Sequence, residues 1–133
     1  MTIINKKNKE VKLFYNSTLS TGKQAAAFAE SLDRSLLLID ISKTPVSDTQ
    51  WVEIADELDI KVEDLINKEH PSYAQNYSSD LKMETEGWIK ILREHPEVVS
   101  ESILLFEGTF YQLSSPNELM NFFKSDSAGI EPY

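Results

Sequence analysis

Apolar residues recur in this chain at two different intervals, and the change of interval divides it into elements. Val11-Lys12-Leu13-Phe14-Tyr15 is a short strand-like run that enters a polar loop beginning at Asn16. Thr21-Gly22-Lys23-Gln24 has capping-box spacing, with Gln24 three residues after Thr21. Ala25, Phe28, Ala29 and Leu32 then repeat at helical intervals, so a helix is expected to about Asp33. Leu36 to Ile41 is a continuous apolar run of strand length, suited to a strand covered on both faces. Lys43-Thr44-Pro45 breaks the chain, because the residue before proline avoids the helical region. Ser47-Asp48-Thr49-Gln50 is a second capping box, followed by the stripe Trp51, Ile54, Ala55 and Leu58. A short helix is expected around Val62 to Ile66, His70-Pro71 ends that region, and Ser72 to Asp80 is loop-like. Trp88, Ile89, Ile91 and Leu92 mark a helix over about Thr85 to Arg93, which His95-Pro96 stops.

The last third changes period. Ser102 to Phe106 and Thr109 to Leu113 are expected strands joined at Glu107-Gly108, a hairpin signal. Ser115-Pro116-Asn117-Glu118 combines an N-cap serine, a proline at the first helical position and a capping glutamate. Leu119, Met120, Phe122 and Phe123 are expected on the inner face of a terminal helix. The order is strand, helix, strand, several helices, hairpin, helix. It predicts an α/β protein with a mixed four-stranded sheet, its first two strands parallel, and a helical insertion over about residues 47–96. Residues 1–10 are expected to be a tail or an edge strand, residues 11–124 a single domain, and residues 125–133 a C-terminal tail.

Composition narrows the chemistry. The chain has 133 residues and a formal net charge of −9, which disfavours phosphate backbones and anionic lipid surfaces. Its basic cluster, Lys6, Lys7 and Lys9, reads as a solvated tail. There is no cysteine, which excludes disulfides, thiolate metal sites and thiol catalysis. No apolar run approaches the length of a membrane span and the first residues lack the apolar core of a leader, so a cytoplasmic location is expected. The glycosylation sequons at Asn16 and Asn76 read as chance matches on that basis.

Other constellations are weak. Gly22-Lys23 lacks both the earlier glycine and the following Ser or Thr of a phosphate loop, since Ser17 and Gln24 occupy those positions. Thr18, Ser20, Thr21 and Lys23 flank a helix N-terminus, where they either cap the helix or assist anion binding by backbone N–H groups. His70 and His95 sit in separate loops without metal-ligand spacing. Ser17 and Ser20 lack a nucleophile-elbow motif. Asp56-Glu57, Glu63-Asp64 and Glu84 with Glu86 read as solvated helix faces, and Trp51 and Trp88 as core.

Several stretches taken together resemble the arsenate reductase and Spx-like branch of the thioredoxin superfamily. They are Tyr15-Asn16 with Ser20 and Gln24, Lys43-Thr44-Pro45, Leu65-Ile66-Asn67-Lys68 with Pro71 and Tyr73, His95-Pro96, and Ser115-Pro116-Asn117-Glu118. The resemblance covers roughly Val11 to Lys124 and implies a thioredoxin-like fold. In that family a thiolate stands at the N-terminus of the first helix, where the helix dipole lowers its pKa. The matching residue here is Leu19. The family's three oxyanion-holding arginines map to Asn67, Glu101 and Ser114, and the proline after the second arginine maps to Ser102. The resemblance therefore implies a cysteine-free, catalytically inactive relative, with residues 16–23 (Asn16, Ser17, Thr18, Leu19, Ser20, Thr21, Gly22, Lys23) as a vestigial ligand loop.

The expected role is a binding or regulatory module with no cofactor and no metal. A protein partner is implied by the Spx-like members, which bind RNA polymerase. Direct nucleic-acid or membrane binding is not expected. Two alternatives stand beside this. One is an enzyme that uses the 16–23 loop to bind glutathione or a small anion. The other is a stable domain with no activity of its own. A concave polar pocket would favour the first, a flat apolar patch a protein partner, and a pocket plugged by Leu19 an inert site.

Overall fold

A computed structural model describes residues 10–32 and 35–123. The Lys6, Lys7 and Lys9 cluster and the C-terminal tail lie outside the described residues, and the first helix ends at Glu30, short of the expected Asp33. Strands β1 (Val11–Tyr15), β2 (Leu37–Asp40), β3 (Ser102–Phe106) and β4 (Thr109–Leu113) form one mixed sheet in the order β2-β1-β3-β4. β1 pairs in parallel with β2, Leu13 opposite Leu38, and antiparallel with β3, Leu13 opposite Leu104. Glu107 and Gly108 close the β3–β4 hairpin with φ of 50° and 90°. Positive φ at both central residues matches the turn to the right-handed twist of the strands.

The sheet has a covered face on each side because its strands alternate. On one side Val11, Leu13, Leu104 and Leu113 pack under helix α1 (Ser20–Glu30) through Ala25 and Ala29, and under Leu119 and Phe123. On the other side Phe14, Ile103 and Phe110 meet the inserted helices. These are α2 (Asp48–Leu58), the short α3 (Pro71–Ala74) and α4 (Thr85–Glu94), with 3₁₀ turns at Val62–Leu65 and Pro96–Val98. Trp51 and Trp88 are both buried here, as expected, and the Tyr73 ring stacks on Trp88 at 6.3 Å.

The structure corrects several local expectations. β2 is an edge strand, not one covered on both faces, and Leu37 is 51% exposed. An apolar run reports hydrophobicity but not the strand's place in the sheet. Leu19, not Thr21, is the N-cap of α1, and no side chain caps that helix. Ser47 does cap α2 by accepting from the Gln50 N–H at 3.1 Å, but the Gln50 side chain turns to Glu53, so the box is not closed. α2 ends at Asp59, which adopts the left-handed conformation that stops helices.

Three more expectations shift. His70-Pro71 begins a helical turn instead of only ending one, with His70 Nδ1 accepting from the Ser72 N–H at 3.0 Å, so residues 71–74 are not loop. Ser115 forms no side-chain cap for the 3₁₀ turn Pro116–Leu119, and Glu118 reaches Ser114 instead. In residues 120–123 Phe123 is buried, whereas Met120 is exposed rather than facing inward.

Candidate functional site

The loop between β1 and α1 is organised by Asn16, which is only 2% exposed. Its Nδ2 donates to the carbonyls of Glu97 and Val99 at 3.0 and 3.1 Å. Its Oδ1 accepts from the Thr18 N–H at 3.0 Å and the Thr18 hydroxyl at 2.6 Å. The Asn16 carbonyl accepts from the Leu19 N–H at 3.1 Å. Asn16 therefore satisfies its own polar atoms and ties the end of β1 to the turn after α4.

Asp40, at the end of β2, holds the same loop from the other side. Its Oδ1 accepts from the Ser17 N–H at 3.2 Å, the Ser42 N–H at 3.1 Å and the Ser42 hydroxyl at 2.7 Å. Burial opposes ionisation of Asp40. The hydrogen bonds from Ser17 and Ser42 outweigh it and hold the carboxyl below its ordinary range. The N–H groups of Ser17, Thr18 and Leu19 thus all end on the chain's own acceptors. The Ser17 N–H ends on the Asp40 carboxylate and those of Thr18 and Leu19 on Asn16, so none of the three is left to hold an anion.

Leu19 is half-buried in an extended conformation before the first turn of α1. Gly22 lies against Asn16 and is buried, while Ser20, Thr21 and Lys23 are exposed. The N–H groups of the first helical turn have no partner within the helix, and Thr21 brings that turn to the rim of a cavity. This cavity, about 150 Å³, is lined by Thr21, Ser100, Glu101, Ser102, Ser114 and Ser115, with Leu113 and Pro116. A second, about 370 Å³, lies across Ser100 and Glu101 on the other side of the sheet, with Asp64, Asn67 and Gln112 in its wall.

The fold thus gathers Thr21, Glu101 and Ser114 at one cavity, and Asn67 and Glu101 at the other. Leu19 lines neither. Asn67 donates from Nδ2 to the Ser100 hydroxyl at 2.9 Å and accepts at Oδ1 from the Glu69 N–H at 3.0 Å. The Ser114 N–H donates to Glu118 Oε1 at 3.1 Å, and the Ser114 hydroxyl donates to the same carboxylate. Burial, and then the neighbouring Glu118 charge, raise the Glu101 carboxyl above its ordinary range. Ser102 opens β3 opposite Leu113 and is 7% exposed.

Sequence reasoning missed Asp40, Ser100 and the role of Glu118. Ser42 two residues after Asp40 is the available signal for a local side-chain-to-backbone turn. Elsewhere, His95 Nδ1 lies 3.2 Å from Glu97 Oε2, which also accepts from the Ser72 hydroxyl at 2.7 Å. Among the described residues no group of three or more His, Cys, Asp or Glu is placed to hold a metal. No helix among them is long and apolar enough to cross a membrane.

The sequence matches no protein-family profile and no curated protein. Its structure does match solved ones. An arsenate reductase from Vibrio cholerae superposes with a TM-score of 0.72 at 16% identity, over 85% of this chain and 97% of that one. A possible arsenate reductase from Streptococcus mutans gives 0.62 at 19% identity, over 86% and 99%. An arsenate reductase related protein from Brucella melitensis gives 0.60 at 13% identity, over 86% and 95%. The mixed sheet and its helices are therefore those of the thioredoxin-like fold seen in arsenate reductase structures.

Proposed function

We propose that this protein, which shares its fold with arsenate reductase structures, is a catalytically silent relative acting as a cytoplasmic binding or regulatory module. The observation that carries the reading is Leu19 at the entrance of α1 in a chain without any cysteine. A leucine side chain has no lone pair to attack an electrophile, and no other thiol stands in for it. The surroundings agree. Asn67, Glu101 and Ser114 supply no positive charge, and Glu101 repels an oxyanion. The loop's N–H groups are filled by Asn16 and Asp40. Fold similarity alone does not transfer activity.

A binding role rests on what the framework keeps open: the cavities beside Glu101, and the partly exposed Val52 with concavities on either side of it. The test is arsenate reduction with added glutathione and glutaredoxin, run beside affinity capture from a native lysate. No turnover together with specific capture of a partner is expected. Turnover above the blank, or a glutathione complex formed at residues 16–23, would replace this reading with the enzyme one.

A further inference from the structure

Ser102 presents the one feature at the candidate site that the fold does not explain. Its residue is more than nine-tenths buried, and it lies on the face of the sheet shared with Leu113, in the wall of the 150 Å³ cavity. Among the described residues its hydroxyl has no hydrogen-bond partner. A buried hydroxyl without a partner costs stability, and a hydrophobic residue would fill the position better. The other groups in the wall repeat one chemistry. Glu101, Ser100, Ser114 and Ser115 surround the cavity, and Glu118 stands close enough to act on the Glu101 charge. The larger cavity, which shares Ser100 and Glu101, adds Asp64, Asn67 and Gln112. Neither lining contains a Lys, Arg or His.

Carboxylates and hydroxyl oxygens with no cation among them form an acceptor-rich site. Resting on the binding-module reading, we propose that the Glu101–Ser102 cavity binds a small organic ammonium group. The ammonium places its charge at the Glu101 carboxylate and donates to the Ser102 hydroxyl oxygen. A cavity of about 150 Å³ is the size that admits a benzene-sized guest, so the head of the ligand is a short primary amine. An ammonium supplies three donors and no acceptor, the complement of this wall. The same ammonium chemistry comes from a simple amine or from an amino acid. In the amino acid the carboxylate would lie toward the first turn of α1 at Thr21, where N–H groups lack helical partners.

The experiment is titration of the whole chain, followed by amide NMR, with ethanolamine, alanine, glycerol and sulfate as separate probes. Saturable shifts centred on Thr21, Glu101, Ser102 and Ser114 are expected with ethanolamine. Alanine binding as tightly or tighter would assign the source as an amino acid, and binding by ethanolamine alone would assign a simple amine. Glu101→Gln is expected to weaken binding about tenfold or more, since it removes a charge-assisted hydrogen bond. Ser102→Ala is expected to weaken binding while raising Tm, because it removes a polar group that has no partner in the free protein. A Tm that falls in Ser102→Ala would show the hydroxyl to be structural and overturn the proposal. So would glycerol or sulfate shifting the same amides as strongly as ethanolamine, or unchanged binding by Glu101→Gln. Absence of any ammonium binding in a protein that also fails to reduce arsenate overturns this inference and leaves the silent-module reading standing. Saturable ethanolamine shifts at these residues in a protein that does turn over arsenate would overturn the silent-module reading and leave the ammonium site standing.

Discussion

Gly22 sits directly against Asn16: a Cβ added at Gly22 would stand 2.0 Å from the Asn16 carbonyl oxygen and 2.8 Å from its carbonyl carbon. The obstacle is backbone, which does not swing aside. Gly22→Ala is therefore expected to push α1 away from the end of β1 and to destabilise the fold by about 1–3 kcal/mol, the usual range for overpacking. A urea denaturation series would measure it as a lower midpoint at an unchanged slope. An unchanged midpoint would mean that α1 shifts freely and is not locked to the loop.

Asn16 itself is the stronger test of the clamp. Asn16→Ala removes the donor that serves the Glu97 and Val99 carbonyls and the acceptor that serves Thr18. Leaving buried groups unpaired costs about 1–3 kcal/mol each, so a loss of about 2 kcal/mol or more is expected in the same measurement. Asn16→Asp should be worse at neutral pH, because the Glu97 and Val99 carbonyls would then face a carboxylate.

Acid should weaken the fold through Asp40 and Glu97. Both carboxyls are held below their ordinary range, against the effect of burial, by hydrogen bonds: from Ser17 and Ser42 to Asp40, and from Ser72 and His95 to Glu97. A depressed carboxyl contributes stability that is present above its unfolded pKa, about 4, and is lost as pH falls through the folded value. Asp40→Asn should lower Tm at pH 7 and converge with the parent near pH 2. Glu101 has the opposite sign. Its raised pKa means that the folded state resists ionisation, so its unfavourable contribution appears as pH rises through the unfolded value and is complete above the folded one. Glu101→Gln is therefore expected to raise Tm at pH 7 and leave it unchanged at pH 3.

Restoring sulfur should not restore chemistry. Leu19→Cys places a thiol at the entrance of α1, and alkylation with iodoacetamide should report it. Arsenate reduction is expected to stay at the blank, because Asn67, Glu101 and Ser114 provide no positive charge to gather the oxyanion. Turnover in Leu19→Cys alone would show that the scaffold keeps an anion site that Asp40 and Glu101 do not block.

Much of the architecture was readable from residue spacing. The two periods located β1, α2, α4 and the β3–β4 hairpin within a residue or so, and Glu107-Gly108 marked the turn. Helix starts were less legible. Thr21 and Gln24 have the spacing of a capping box, yet the helix is capped two residues earlier, at Leu19, because the chain direction there is set by Asn16 and its bonds to residues 97 and 99. The outer position of β2 was not visible either. Leu36 to Ile41 is apolar enough for a central strand, and only pairing with β1 on one side makes it an edge.

Hydrophobic period and the absence of sulfur are properties of neighbouring residues and of composition. Element order and the exclusion of thiol chemistry therefore follow from the sequence alone. The meeting of Thr21 with Glu101, Ser102 and Ser114 is of another kind. Thr21 lies about eighty or more positions from the other three in the chain. Packing of α1 across β3 and β4 joins them, and no local preference encodes which hydroxyl is left inside without a partner.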